Sequence, residues 1–142
     1  MTTALFTHTA CFEHDPGRFH PESPARLKAV LSALESEDFQ LLDRHEAPRA
    51  EIEQLARAHP RPFVERMLAA VPQAGHAALD GDTILSPGSG EAALRAAGAV
   101  CAAVDLVVAG KARNAFCAVR PPGHHAEAQV AMGFCVFNNV AV

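Results

Sequence analysis

The hydrophobic pattern changes period several times along the chain, and each change predicts an element. Ala4 to His8 is a short apolar run rich in strand formers, which predicts a strand. Ala10 to Glu22 is full of turn residues, Asp15-Pro16-Gly17 among them, and reads as a long loop. Ser23 then sits as an N-cap ahead of Pro24, and Leu27, Val30, Leu31 and Leu34 recur at helical spacing. These positions predict an amphipathic helix of about three turns. A second helical stretch covers roughly Ala50 to Ala58, and a third starts near Pro62 with Phe63, Met67, Leu68 and Val71 on one face.

Leu79 to Gly90 holds two turn signals, Asp80-Gly81-Asp82 and Ser86-Pro87-Gly88, and predicts an ordered surface loop. From Glu91 to Ala109 the residues become Ala, Val and Leu, with Gly110 in a C-cap position, so one long, largely buried helix is expected. Asn114 to Val119 is a brief apolar run after a tight connection, which predicts a strand buried by neighbouring helices. Helix followed by buried strand implies a parallel α/β sheet. The strand ends at Arg120-Pro121-Pro122-Gly123-His124-His125, and in open α/β sheets ligands sit outside the carboxyl ends of the strands. The last segment, Met132 to Val142, is apolar apart from Asn138-Asn139, and an exposed Val-Ala-Val end would want burial, so a continuation is expected.

Composition narrows the function classes. At 142 residues, the chain has room for one core and gives no sign of two domains. Twelve Lys and Arg stand against 16 Asp and Glu, so no basic stripe grips a phosphate backbone, and direct nucleic-acid binding is not expected. No apolar run approaches the ~20 residues of a membrane span, and the first ten residues lack signal-peptide regions, so a cytoplasmic location is expected. Cys11, Cys101, Cys117 and Cys135 are widely spaced and read as reduced thiols. Cys135 reads as a buried inert thiol rather than a nucleophile.

Chemistry concentrates at His124-His125. Neutral imidazole takes a proton best near pH 7. On extended backbone adjacent side chains point to opposite sides, which disfavours joint chelation of one metal and favours acid–base work. Pro121-Pro122 stiffens the approach and Gly123 permits a sharp turn. A hydrogen-bonded His pair without a catalytic role is the alternative reading of the dipeptide.

The stretch Arg120 to Glu127, with Met132-Gly133-Phe134-Cys135 and Phe137-Asn138-Asn139, resembles the signature of the histone deacetylase and acetylpolyamine amidohydrolase family. His20-Pro21-Glu22 with Pro24 and Arg26 resembles that family's early segment, and Leu79 onward is similar to its bacterial and class II branch. The resemblance implies an arginase/deacetylase-like three-layer α/β fold with a central parallel sheet, residues 1–142 being the amino-terminal part of a single deacetylase domain. It implies hydrolysis of an acetyl amide on lysine or a polyamine, with zinc as cofactor.

By the same resemblance His124 and His125 are the catalytic pair, one a general base and acid and the other an electrostatic aid. Phe134 and Gly133 match the wall of the acyl-lysine channel, Asp82 an acidic position near its rim, and Arg26 a buried arginine of the inner acetate cavity. Without the resemblance, Phe134 reads as core, Arg26 as a solvated helix residue and Asp82 as a turn organiser. The family's zinc ligands and its transition-state tyrosine or histidine are expected beyond Val142, so residues 1–142 alone are expected to be inactive and, with an unpaired sheet edge, poorly soluble. A truncated remnant acting only by binding, and an arginase-like manganese hydrolase, are the rival readings.

Overall fold

Three apolar residues in a row, Ala4, Leu5 and Phe6, are buried in strand β1 (Thr3–Thr7), as expected of a central strand covered on both faces. The computed structural model describes residues 2–142. β1 pairs in parallel with β2 (Asp43–Glu46) on one side and with β5 (Asn114–Cys117) on the other, giving the order β2-β1-β5. Leu5 lies opposite Arg44 in one register and Phe116 in the other.

Helix α1 (Pro24–Ala33) begins as predicted, after extended Ser23 and with Pro in its first turn. Its apolar face is narrower than the spacing suggested, since only Leu27 is fully buried and Val30 is exposed. Helix α2 (Ile52–Leu55) is a single turn, shorter than the predicted stretch, and is closed by a reciprocal cap between Glu51 and Gln54. Helix α3 (Arg61–Ala69) buries Phe63, Val64 and Met67.

Two predictions need correction here. The segment from Leu79 is not a plain surface loop: it closes a small hairpin of β3 (Ala77–Ala78) and β4 (Ile84–Leu85), and Thr83, Leu85, Ser86 and Ser89 are buried. Turn residues marked the bend, but the inward Thr and Ser are polar and carried no core signal. Among the described residues strand β5 is not covered on both faces by helices either, since it is the last strand on its side of the sheet and Phe116 is 49% exposed.

Helix α4 (Ser89–Val108) packs on β1 and β5 through small side chains, with Ala92, Ala96, Ala97, Ala99 and Ala103 buried. Small residues let backbones approach closely, and the closest approach is at Gly98. A Cβ there would lie 2.1 Å from the Pro48 carbonyl oxygen and 2.6 Å from the Ala50 nitrogen. The segment between is tied down by Arg95 donating to the Ala47 carbonyl (2.9 Å) and by the Ala50 N–H donating to the Leu94 carbonyl (2.9 Å). The loops that leave the carboxyl ends of β1 and β5 meet above the sheet.

Candidate active site

Where those two loops meet, five polar side chains are buried together. Arg120 follows β5 and is 3% exposed; its Nε and Nη2 donate to the two carboxylate oxygens of Glu22 at 2.8 and 2.6 Å. Its Nη1 donates to the carbonyls of Cys11 and His14 in the loop after β1. His14 stands 3.4 Å from the Glu22 carboxylate through Nε2, and its Nδ1 lies 2.7 Å from Ser89 Oγ at the start of α4. Ser89 Oγ also accepts from the Ser86 N–H (2.7 Å). Burial alone would raise the Glu22 carboxyl, but hydrogen bonds from His14 and Arg120 outweigh it and hold the group at about 2. The network therefore fixes a charged bidentate pair between segments 98 residues apart.

Two residues past Arg120 and Pro121 the backbone turns. The Ala126 N–H donates to the Gly123 carbonyl (3.2 Å), which puts His124 and His125 at the two corners of a tight turn. The expectation that the two rings diverge is therefore wrong. Their centroids are 4.3 Å apart with planes tilted by 46°, because a turn, unlike a strand, swings neighbouring side chains to the same side. Both residues are exposed.

Gly123 is required by a close approach: a Cβ there would meet the Asn139 nitrogen at 2.4 Å and the Phe137 carbonyl at 2.6 Å. Asn139 donates from Nδ2 to the Pro121 carbonyl (3.2 Å), and Asn138 donates from Nδ2 to the Ala126 carbonyl (2.9 Å). The turn is thus gripped on both sides.

Gly133 and Phe134 form the corners of a second tight turn, closed by the Cys135 N–H donating to the Met132 carbonyl (3.0 Å). Both have positive φ, 57° and 70°. Such a turn favours Gly at each corner, so Phe134 carries strain of about 1 kcal/mol that a residue chosen only for packing would avoid. A Cβ on Gly133 would come within 2.7 Å of the His125 Cβ, so Gly133 packs directly on the His125 side chain.

Phe134 is half-buried, and its ring meets that of His20 edge-on at 4.8 Å. His20 Nε2–H donates to the Asp82 carbonyl (2.8 Å), and the Phe134 N–H donates to Thr83 Oγ1 (3.2 Å). Gly17, Arg18, Phe19, His20, Asp82 and Phe134 line an open groove of about 490 Å³. The turn at Asp82 is organised by Asp80, which accepts from the Asp82 and Thr83 N–H groups at 3.0 and 2.6 Å. The Asp82 carboxylate accepts from the Thr83 hydroxyl (3.4 Å), and Asp82 is exposed at the groove surface.

Of the six residues singled out in the sequence, the structure brings His124, His125 and Gly133 together, with Phe134 adjoining and Asp82 across the groove from Phe134. Arg26 stands apart from them: among the described residues it is exposed on α1, not buried as the resemblance implied, and lines a separate groove of about 250 Å³ with Leu27, Phe116, Val119 and Pro122. The buried arginine is Arg120. It and Glu22 stood in the motifs read from the sequence, yet nothing in spacing alone joins residues so far apart. His59, buried between α2 and α3 with Nε2 accepting from the Asn138 N–H (2.9 Å), gave no signal either.

A chain with this sheet and this gripped His-His turn belongs to the histone deacetylase domain family, whose pattern matches residues 20–142. Over 124 residues it is 44% identical to the histone deacetylase-like amidohydrolase of Pseudomonas aeruginosa, covering 86% of this chain and 31% of that protein. It is 34% identical over 148 residues to a probable deacetylase of Archaeoglobus fulgidus, covering 100% of this chain and 40% of that protein. The crystal structure of the HDA15 HD domain matches with a TM-score of 0.92 at 29% identity, over 99% of this chain and 41% of that one. The deacetylase-like α/β fold is therefore established, and the chain spans less than half the length of these relatives.

Proposed function

We propose that this chain supplies the acid–base pair and one channel wall of a deacetylase that releases acetate from N-acetyl-lysine or an acetylpolyamine. The observation that carries the proposal is the pair of imidazoles 4.3 Å apart on a braced turn beside Gly133 and Phe134. In the reaction, water adds to the acetyl carbonyl carbon as one imidazole accepts its proton. An imidazolium then returns a proton to the amine nitrogen as the C–N bond breaks, leaving the free amine and acetic acid, which loses its proton to solvent as acetate. The second ring supports the charge that passes through the first.

Phe134 and Gly133 are assigned to the wall along which the apolar stem of the substrate lies, and Asp82 to the rim, where a carboxylate attracts a cationic or N–H-bearing substrate. Arg26 is assigned to the acetate product, whose charge it would balance from the neighbouring groove. Zinc is the metal the family resemblance implies. Among the described residues no three His, Cys, Asp or Glu side chains are placed to hold a metal, so the residues present do not fit it and no step above is routed through it. The proposal assigns zinc ligands to residues outside this chain.

Among the described residues no helix is long and apolar enough to cross a membrane. A cytoplasmic location belongs to the same proposal and draws support from four free thiols.

The test is a fluorogenic acetyl-lysine assay with added zinc, run on residues 1–142 and on a form continued through the downstream reading frame. Hydroxamate-sensitive activity in the longer form, lost on His124→Ala or His125→Ala, is the expected result. Undiminished activity in both variants, or none in either form with lysine and polyamine substrates, overturns the proposal.

A further inference from the structure

We infer that His59 is a positioning residue for the turn that carries His124 and His125; the inference rests on the assignment of that pair as acid and base. His59 lies between α2 and α3 and is 1% exposed. It stacks on Phe63 (centroids 5.1 Å, planes 24° apart) and leans on Phe137 (5.7 Å). An imidazole sunk among aromatic rings must satisfy both nitrogens or lose stability.

Both are satisfied, and in only one way. Nε2 stands 2.9 Å from the Asn138 backbone N–H, which can only donate, so Nε2 is the acceptor. Nδ1 stands 3.0 Å from the Ala128 carbonyl, which can only accept, so Nδ1 carries the proton. The ring is thus a neutral Nδ1–H tautomer that ties the strand of chain leaving the His pair to Asn138.

The consequence reaches the pair through Asn138 and Asn139. With its backbone held by His59, Asn138 presents Nδ2 to the Ala126 carbonyl, and Asn139 beside it presents Nδ2 to the Pro121 carbonyl. Three carbonyls, of Pro121, Ala126 and Ala128, flank the His pair before and after, and each receives one of these side-chain donors. Four residues of loop with two exposed imidazoles would otherwise sample many conformations. The anchor they share lies in the core.

The test uses the 142-residue chain, isotopically labelled, with three proteins compared by NMR. Wild type shows His59 as the Nδ1–H tautomer, a nuclear Overhauser effect between the rings of His124 and His125, and a slowly exchanging Asn138 amide. His59→Phe keeps a ring against Phe63 and Phe137 but removes both hydrogen bonds, and is expected to speed Asn138 amide exchange at least tenfold and to weaken the His124–His125 contact. His59→Gln places an amide oxygen near the Nε2 position and is expected to restore Asn138 protection.

A wild-type His59 in the Nε2–H tautomer overturns the inference. So does a His59→Phe protein whose His124 and His125 signals match wild type. Should His59→Phe fail to fold, the wild-type tautomer and the Gln variant decide: a Gln variant that folds but leaves Asn138 unprotected counts against it. None of these readouts requires turnover, so they hold or fail separately from the deacetylase assay.

Discussion

Replacing Glu22 by Gln removes one charge from a buried pair and leaves the other in place. Arg120 keeps its bonds to the Cys11 and His14 carbonyls but loses the carboxylate that balances it. Lowering a carboxyl from 4.5 to about 2 corresponds to about 3 kcal/mol, at roughly 1.4 kcal/mol per pKa unit. Removing one partner of a buried pair costs about 3–5 kcal/mol in general, so the two routes agree. Because the folded-state value is depressed, this contribution is complete above pH 4.5 and is lost as pH falls toward 2.

The chain has no Trp or Tyr, so urea unfolding is followed by far-UV circular dichroism. At pH 7 the variant is expected to unfold about 2 M earlier in urea, taking a slope of roughly 1.5 kcal/mol per M. The gap between wild type and variant should close between about pH 5 and pH 2, since wild type loses the pair as its own carboxyl protonates. A variant within about 1 kcal/mol of wild type at pH 7, or a gap that stays constant down to pH 2, would refute the reasoning.

Gly98→Ala normally gains about 1 kcal/mol of helix propensity, but here the added methyl meets the Pro48 carbonyl, so a net loss of about 2 kcal/mol or more is expected in the same unfolding assay. Gly133→Ala combines a positive φ with a collision against His125 and is expected to lower stability by about 1–2 kcal/mol, with the His125 ring shifts moving furthest in an NMR spectrum. Burial pushes all four thiols up from 9.0, Cys135 included although hydrogen bonds at His125 and Ala126 oppose the rise. Iodoacetamide at neutral pH should therefore label the native chain slowly and all four cysteines at once after denaturation, as counted by mass spectrometry.

Elements with a strong apolar period were legible in the sequence: β1, α1, α3 and α4 lie within a few residues of where the pattern put them. β2 was not, because Asp43-Arg44-His45-Glu46 is polar throughout and forms a strand only by pairing with β1, with His45 stacked on Phe6 at 4.8 Å. The hairpin of β3 and β4 is too short to leave a period-2 trace. At the site, the His pair, Gly133-Phe134 and a sharp turn at Gly123 were legible as a motif, whereas the convergence of the two rings was masked by treating the pair itself as extended backbone. Glu22, Arg120 and His59 act through partners far along the chain, a relation that no local pattern encodes.

The two rims of the sheet differ in kind, with Asp43-Arg44-His45-Glu46 along one and Asn114-Ala115-Phe116-Cys117 along the other. Charges repel an incoming strand on the first side, while the second offers free backbone groups beside an uncovered phenyl ring. Within residues 2–142 a further strand is therefore received beside Phe116, on the β5 side of the sheet, and not beside β2.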